Sequence, residues 1–323
     1  MTPHRLWPWI VVALALVAGV MAVLPDFVDS TPGSAAAHQA PLAVRKSCEF
    51  PRIAEGGTRV VIATAPQRIV AASVFSTEVL TVIAPRTRIA AVIGLAADER
   101  YCAVAANAKT YPLCGAEPEQ LLAQKPDLVV TDPFTAVETR YLLAQVHVPV
   151  LEIPPLRTLE DVTRSIRLLG WAIGCDDAAE QLALATETRR AQLRERAEVA
   201  SVWRVLNLAG ATSTYGCDTL LDSAIAATGA SNLASSRRLP SYHELDIEQI
   251  LGMRPDALLL SVPPDGEAKA RERLRQMPGM QLLPCVQQDR IVFVPGTAFN
   301  STSHHILTAA EGLQRQLLAW GKP

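Results

Sequence analysis

Lysine is scarce in this chain. Only Lys46, Lys109, Lys125, Lys269 and Lys322 occur in 323 residues, so arginine carries most of the positive charge. With a net charge of −2 and no run of basic residues, the sequence has none of the electrostatic footprint of a nucleic-acid binder. Catalytic signatures are missing as well. There is no GxSxG elbow, no GxGxxG or GxxxxGK[ST] phosphate loop and no HExxH, and no nucleophile–base pairing suggests itself near the strand ends. The chain therefore reads as a non-enzyme with no cofactor. CxxC pairs are also absent, and no cysteine stands at ligand spacing from a histidine, which argues against a structural zinc site. Aromatics make up only 5% of the residues, so their positions carry information.

One long apolar run is present. "WPWIVVALALVAGVMAVL" ends at Leu24 and is followed by the small-residue linker "PDFVDSTPGSAAAHQAP". This is the layout of a secretory signal, with cleavage expected after Ala22 or within Ala35–Ala37; an uncleaved anchor helix is the rival reading. Six cysteines, at 48, 102, 114, 175, 217 and 285, suit an oxidising compartment but allow 15 pairings. Cys102–Cys114, bracketing one loop, is the pairing expected here.

After the linker, short apolar runs alternate with amphipathic stretches. Residues 68–73, 88–94, 127–132 and 148–153 read as buried parallel strands, and so do 203–210, 256–262 and 290–296. Strand–helix alternation predicts an α/β fold: two similar Rossmann-like lobes with mostly parallel sheets, connected by a long single helix, with a ligand cleft between the lobes. The expected boundaries are a signal or anchor with linker over 1–37, an N-terminal lobe over 38–157, a connecting helical region over 158–200 and a C-terminal lobe over 201–323. Because the joining element is helical, lobe motion on binding is expected to be modest.

"EQLLAQKPDLVV" (119–130) returns as "EQILGMRPDALL" (248–259), 129 positions later. Each copy reads as a helix opened by acidic residues, closed by Lys125 or Arg254, stopped by proline, and followed by a buried strand. The two halves thus share one helix–strand unit. Glu119 and Glu248 fall in the first turns of these helices, where a carboxylate complements the helix dipole and stands at the ligand-facing rim. Phe75, Tyr101, Phe134, Tyr215 and Phe299 each follow a predicted strand by a few residues, and Tyr242 leads into the second repeated helix. Ligands of open α/β sheets bind beyond the carboxyl ends of the strands, so these aromatics are the expected lining of an apolar cleft.

Between about residues 58 and 320 the chain resembles the periplasmic substrate-binding proteins of ABC importers for vitamin B12, ferric siderophores and haem. The segments that carry the resemblance are "GTRVVIATAPQRIVAASVFSTEVL", the repeated helix–strand phrase, "LEDVTRSIRLLGWAIG", "TLLDSAIAATGASNLAS" and "YHELDIEQILGMRPDALLL". The resemblance implies two lobes joined by a rigid helix, and a non-enzymatic receptor, monomeric and periplasmic, that captures an iron-siderophore or cobalamin-type chelate. It also implies that Glu119 and Glu248 pair with arginines of an ABC permease bearing its ATPase subunits. Membrane contact then runs through the permease or through an uncleaved N-terminal segment. Tyr242, six residues before Glu248, matches a ligand-stacking aromatic of cobalamin binders, while Leu113 holds the equivalent place before Glu119. Haem is disfavoured because Tyr111 stands at the wrong distance for the tyrosine ligand of that branch. Arg100, Arg237 and Arg238 are the candidate partners of an anionic siderophore. Two alternatives stay open: a direct zinc or manganese receptor using His243 and His304, the latter otherwise a helix-start residue with a solvent-facing ring, and a periplasmic ligand sensor without a transporter.

Overall fold

The computed structural model describes residues 49–323 apart from Ser201, Ala211 and Pro264; the apolar run, its linker and Cys48 lie outside the described residues. A short antiparallel hairpin, β1 (Arg52–Glu55) and β2 (Arg59–Ile62), leads into two parallel sheets. The first holds β3 (Ile69–Ala71), β4 (Ile89–Ile93), β5 (Leu113–Cys114), β6 (Leu128–Thr131) and β7 (Val150–Glu152), in the order β5-β4-β3-β6-β7. The second holds β8 (Arg204–Leu208), β10 (Ser231–Asn232), β12 (Ala257–Val262) and β13 (Ile291–Pro295), in the order β10-β8-β12-β13. A small antiparallel pair, β9 (Ser213–Thr214) with β11 (His243–Glu244), stands beside it. Chain order reverses between β3 and β6 in one sheet and between β8 and β12 in the other. Each reversal opens a crevice at the carboxyl ends of its strands.

The helices that matter here are α1 (Val74–Ile83), α2 (Pro118–Ala123), α3 (Val137–Gln145), α4 (Leu159–Ile173), α5 (Asp176–Glu195), α6 (Leu220–Ala227), α7 (Ile247–Met253), α8 (Glu267–Gln276) and α9 (Ile306–Trp320). The lobes are bridged by α4 and α5, which pack on each other. Both touch α1 of the first lobe and α6 of the second. A capping box of Thr158 and Asp161 starts α4, and Gly174, at φ 72°, ends it in the left-handed conformation that glycine takes without a Cβ clash. Gly170 serves closeness: a Cβ there would collide with the Cβ of Ala179 on α5. Arg167 of α4 clasps Glu180 and Glu187 of α5, each at 2.7 Å. One contiguous apolar core runs through both lobes, from Ile69 and Phe75 through Ile166 and Ala183 to Leu259 and Leu313.

The repeated phrase folds as one unit twice. Lys125 (φ 50°) and Arg254 (φ 48°) both take the left-handed conformation at the helix end, and proline follows each. Arg68 reaches back to the carbonyl of Lys125 (3.0 Å) while its own amide donates to Asp127 (2.8 Å). Arg204 does the same to the carbonyl of Arg254 (3.0 Å), and its amide donates to Asp256 (2.9 Å). The arginine entering the first strand of each sheet thereby seals the helix end beside it.

Candidate ligand cleft

A cleft of about 560 Å³ opens between the lobes, lined by segments that follow β3, β6 and β7 on one side and, on the other, by segments that follow β9 and β13 and by Ser241 and Tyr242 just before β11. Of the expected aromatics, Phe75, Phe134, Tyr215, Tyr242 and Phe299 come together there. Tyr101 does not. The turn after β4 buries Ala96 and Cys102 and leaves Tyr101 45% exposed beneath the Arg100 guanidinium, away from the cleft lining. Residues that the sequence did not single out complete the lining, notably the Pro154–Pro155 pair, Arg157, Asp132 and Asp218. A proline pair directly after a strand was the one available signal for that wall. A larger groove, about 720 Å³, lies between α5 and α9. It is lined by charged and amide side chains together with Leu193, Leu318 and Ala319, and crossed by the Arg189–Glu311 ion pair. That groove lies away from the segments that follow the carboxyl ends of the strands, and it has no aromatic side chain in its lining.

The C-lobe wall is held from beneath. Asn207, fully buried on β8, donates from Nδ2 to the Tyr215 carbonyl (2.9 Å) and accepts from the Tyr215 amide (2.8 Å). Asn232 donates to the same carbonyl (3.1 Å) and to Asp222 (2.9 Å). The Tyr215 ring lies edge-on to Tyr242 and tilted against Phe299, both at 6.0 Å between centroids. The Tyr215 hydroxyl donates to Asn300 (3.3 Å), and the Tyr242 hydroxyl donates to Ser213 (2.9 Å) and Glu244 (3.2 Å). Burial, with Tyr242 adding to it, pushes the Tyr215 phenol above its usual range, so it stays neutral. On the opposite wall Phe134 is 86% exposed, and its backbone amide donates to Asp132 (3.0 Å). Burial raises Asp132 despite the amides of Phe134 and Thr135 and the hydroxyl of Thr135 that bond it.

Behind the cleft, Glu78 of α1 is fully buried. It accepts from the amide of Ala103 (2.8 Å) and, across the lobe boundary, from the hydroxyl of Ser303 (2.5 Å). His304 was expected either to face solvent or to bind metal with His243. Instead it is buried, its ring 4.1 Å from that of His305, while His243 pairs with Thr214 in the β9–β11 ribbon. Burial, then the neighbouring His305 and Arg189, depress His304 to about 3. Its Nδ1 has no hydrogen-bond partner. Among the described residues no group of three or more His, Cys, Asp or Glu side chains is arranged to hold a metal ion.

Cys102 and Cys114 do not pair. Successive residues of β3 and β6 alternate between two core clusters, and Cys102 belongs to one while Cys114 belongs to the other, so the two thiols lie on opposite faces of the sheet. Burial, with Glu78 adding to it, pushes the Cys102 thiol up to about 12, and burial pushes Cys114 to about 11. Glu119 and Glu248 both stand exposed in the first turns of α2 and α7. Arg100 is engaged by Asp98 (2.6 Å), and neither it nor Arg237 and Arg238 lines the cleft. Among the described residues no helix is long and apolar enough to cross a membrane.

The profile of the family described as periplasmic binding protein matches residues 69–298. No curated protein matches the chain. Among solved structures, the periplasmic haem-binding protein RhuT from Roseiflexus sp. RS-1 superposes with a TM-score of 0.68 at 22% identity, covering 78% of this chain and 98% of its own. An ABC-type Fe³⁺-hydroxamate transport system protein from Saccharomonospora viridis gives 0.66 at 20% identity, covering 83% and 99%. The periplasmic vitamin B12 binding protein BtuF of Vibrio cholerae gives 0.64 at 18% identity, covering 79% and 98%.

Proposed function

Because the chain belongs to the periplasmic binding protein family, whose members bind solutes and are not enzymes, we propose that it captures an iron-siderophore or cobalamin-type metal chelate and delivers it to an ABC permease. The observation that carries this reading is the cleft itself. Its volume of about 560 Å³ lies within the range of sites for compact organic ligands, roughly 300–1,000 Å³. Apolar side chains, five of them aromatic, supply most of its contact surface, and a few hydroxyl, amide and charged groups orient what enters. Glu119 and Glu248 support delivery to a two-fold importer, because each lobe presents one exposed acid at the start of the same repeated helix. Family membership implies a periplasmic location; the N-terminal apolar run serves export, with or without tethering. The protein acts as a monomer. A thermal-shift screen against ferric siderophores, cobalamin, haem and bare divalent ions tests the reading. A ligand at 100 times its dissociation constant adds about 2.7 kcal/mol to the folded state. Stabilisation by a chelate upholds the proposal, and stabilisation only by bare Zn²⁺ or Mn²⁺ overturns it.

A further inference from the structure

The charge of the cleft narrows its ligand further. Resting on the chelate-receptor reading, we infer that the cleft selects metal chelates that are neutral or cationic and rejects polyanionic ones. Three charged side chains line it: Asp132 and Asp218, one from each lobe, against the single guanidinium of Arg157. Apart from Arg157, the cations that an anionic chelate would need are engaged or placed elsewhere. Arg100 is held by Asp98, Arg140 by Glu152, and Arg237 and Arg238 lie outside the lining. The phenols point the same way. Tyr215 and Tyr242 donate their O–H groups to Asn300 and to Ser213 and Glu244, so each oxygen offers the ligand its lone pairs and not a proton. With two acids against one guanidinium, such a surface favours N–H groups and ammonium ions over carboxylate, catecholate and propionate oxygens.

This sorts chelates by chemical class. A ferric ion balanced by three hydroxamates is neutral, and a pendant amine makes it cationic; corrinoids are neutral to cationic. Ferric tricatecholates, ferric carboxylates and haem with its two propionates are anionic. The test is titration of the full-length chain, followed by tryptophan and tyrosine fluorescence, with ferrioxamine B (cationic), ferrichrome and cyanocobalamin (both neutral), ferric enterobactin and haemin (both anionic). A neutral or cationic probe is expected to bind at least about tenfold tighter than either anionic one. Asp218→Asn is the companion variant. Asp218 is exposed at φ 57°, a conformation that asparagine adopts readily, so the fold is retained. It is expected to weaken ferrioxamine B binding about tenfold, to leave ferrichrome nearly unchanged and to strengthen ferric enterobactin binding. Tighter binding of an anionic probe, or an equal loss for all probes in Asp218→Asn, overturns the charge inference while leaving the chelate reading intact. Binding of none of the five overturns both. Of the two neutral probes, the one that binds separates a hydroxamate from a corrinoid source.

Discussion

The two lobes share their scaffold and differ in their cleft walls. Arg68, Asp127 and Lys125 in one lobe and Arg204, Asp256 and Arg254 in the other close the same helix–strand unit with the same bonds. Beyond the strand ends the likeness stops. Tyr215 is fixed by two buried asparagines and two aromatic neighbours, whereas Phe134 stands almost fully in solvent on a loop closed by Asp132. The helices that follow diverge too: α3 exposes Val137 and Tyr141, while α8 reads "EAKARERLRQ" and is mostly charged. The shared unit positions the sheets, and the parts that differ line the cleft. One wall is tied down from beneath and the other stands open to solvent.

The sharpest way to break that comparison is to remove its rigid side. Asn207→Leu strips the Tyr215 amide and an Asn232 oxygen of their partner in the interior and should cost roughly 2–4 kcal/mol in urea unfolding. Asp132→Ala, its N-lobe counterpart, should cost only about 1 kcal/mol, as the loss of a local side-chain cap does. Equal losses would abolish the distinction between the walls.

Acid should separate the lobes next. His304 has its folded pKa depressed to about 3, below the roughly 6.5 of the unfolded chain, so the unfolded state binds the extra proton and stability falls as pH drops through that window. About 2 kcal/mol should be lost between pH 7 and pH 5. Asp132, raised by burial, acts with the opposite sign, since a native state that holds its proton more tightly gains as pH falls. Thermal melts of His304→Gln should show the acid slope flattened; an unchanged slope would remove His304 from the account.

The exposed glutamates test the shared part. Glu119→Arg and Glu248→Arg should each weaken association with the permease by about tenfold, equally for the two lobes, with ligand affinity intact. No effect on stimulated ATPase activity would favour a sensor over an importer subunit. The smallest effect belongs to the open wall. Phe134→Ala should lower chelate affinity by about 1 kcal/mol and leave the unfolding midpoint within about 0.5 kcal/mol of wild type.

Much of this was legible in the chain. All seven apolar runs read as strands fall on β3, β4, β6, β7, β8, β12 and β13, because buried parallel strands leave continuous hydrophobic signals. The two-residue strands β5, β9, β10 and β11 were invisible, since two residues have no periodicity. Of the five aromatics picked out by their spacing after strands, Phe75, Phe134, Tyr215 and Phe299 lie along the cleft, as does Tyr242 ahead of the second repeated helix, but Tyr101 does not, because a turn that buries Ala96 and Cys102 redirects it. Asn207 sits inside "VLNLAG", where a polar residue in an apolar run gives no hint of the backbone it serves. His304 misled for a related reason: adjacency of two histidines suggests chemistry, whereas here the pair is packing. Cys102 and Cys114 are close in sequence, yet a sheet lies between them.

The bond from Ser303 to Glu78 bears on how such a receptor gives up its cargo. Opening the arms widely would pull this acid from its cross-lobe donor and tear a core that both arms share. Two arms tied together in this way resist wide opening. Under the proposed delivery to a permease, unloading becomes the task of that machine, which must pry the arms from outside, and the strength of this inner latch sets how hard it has to pull.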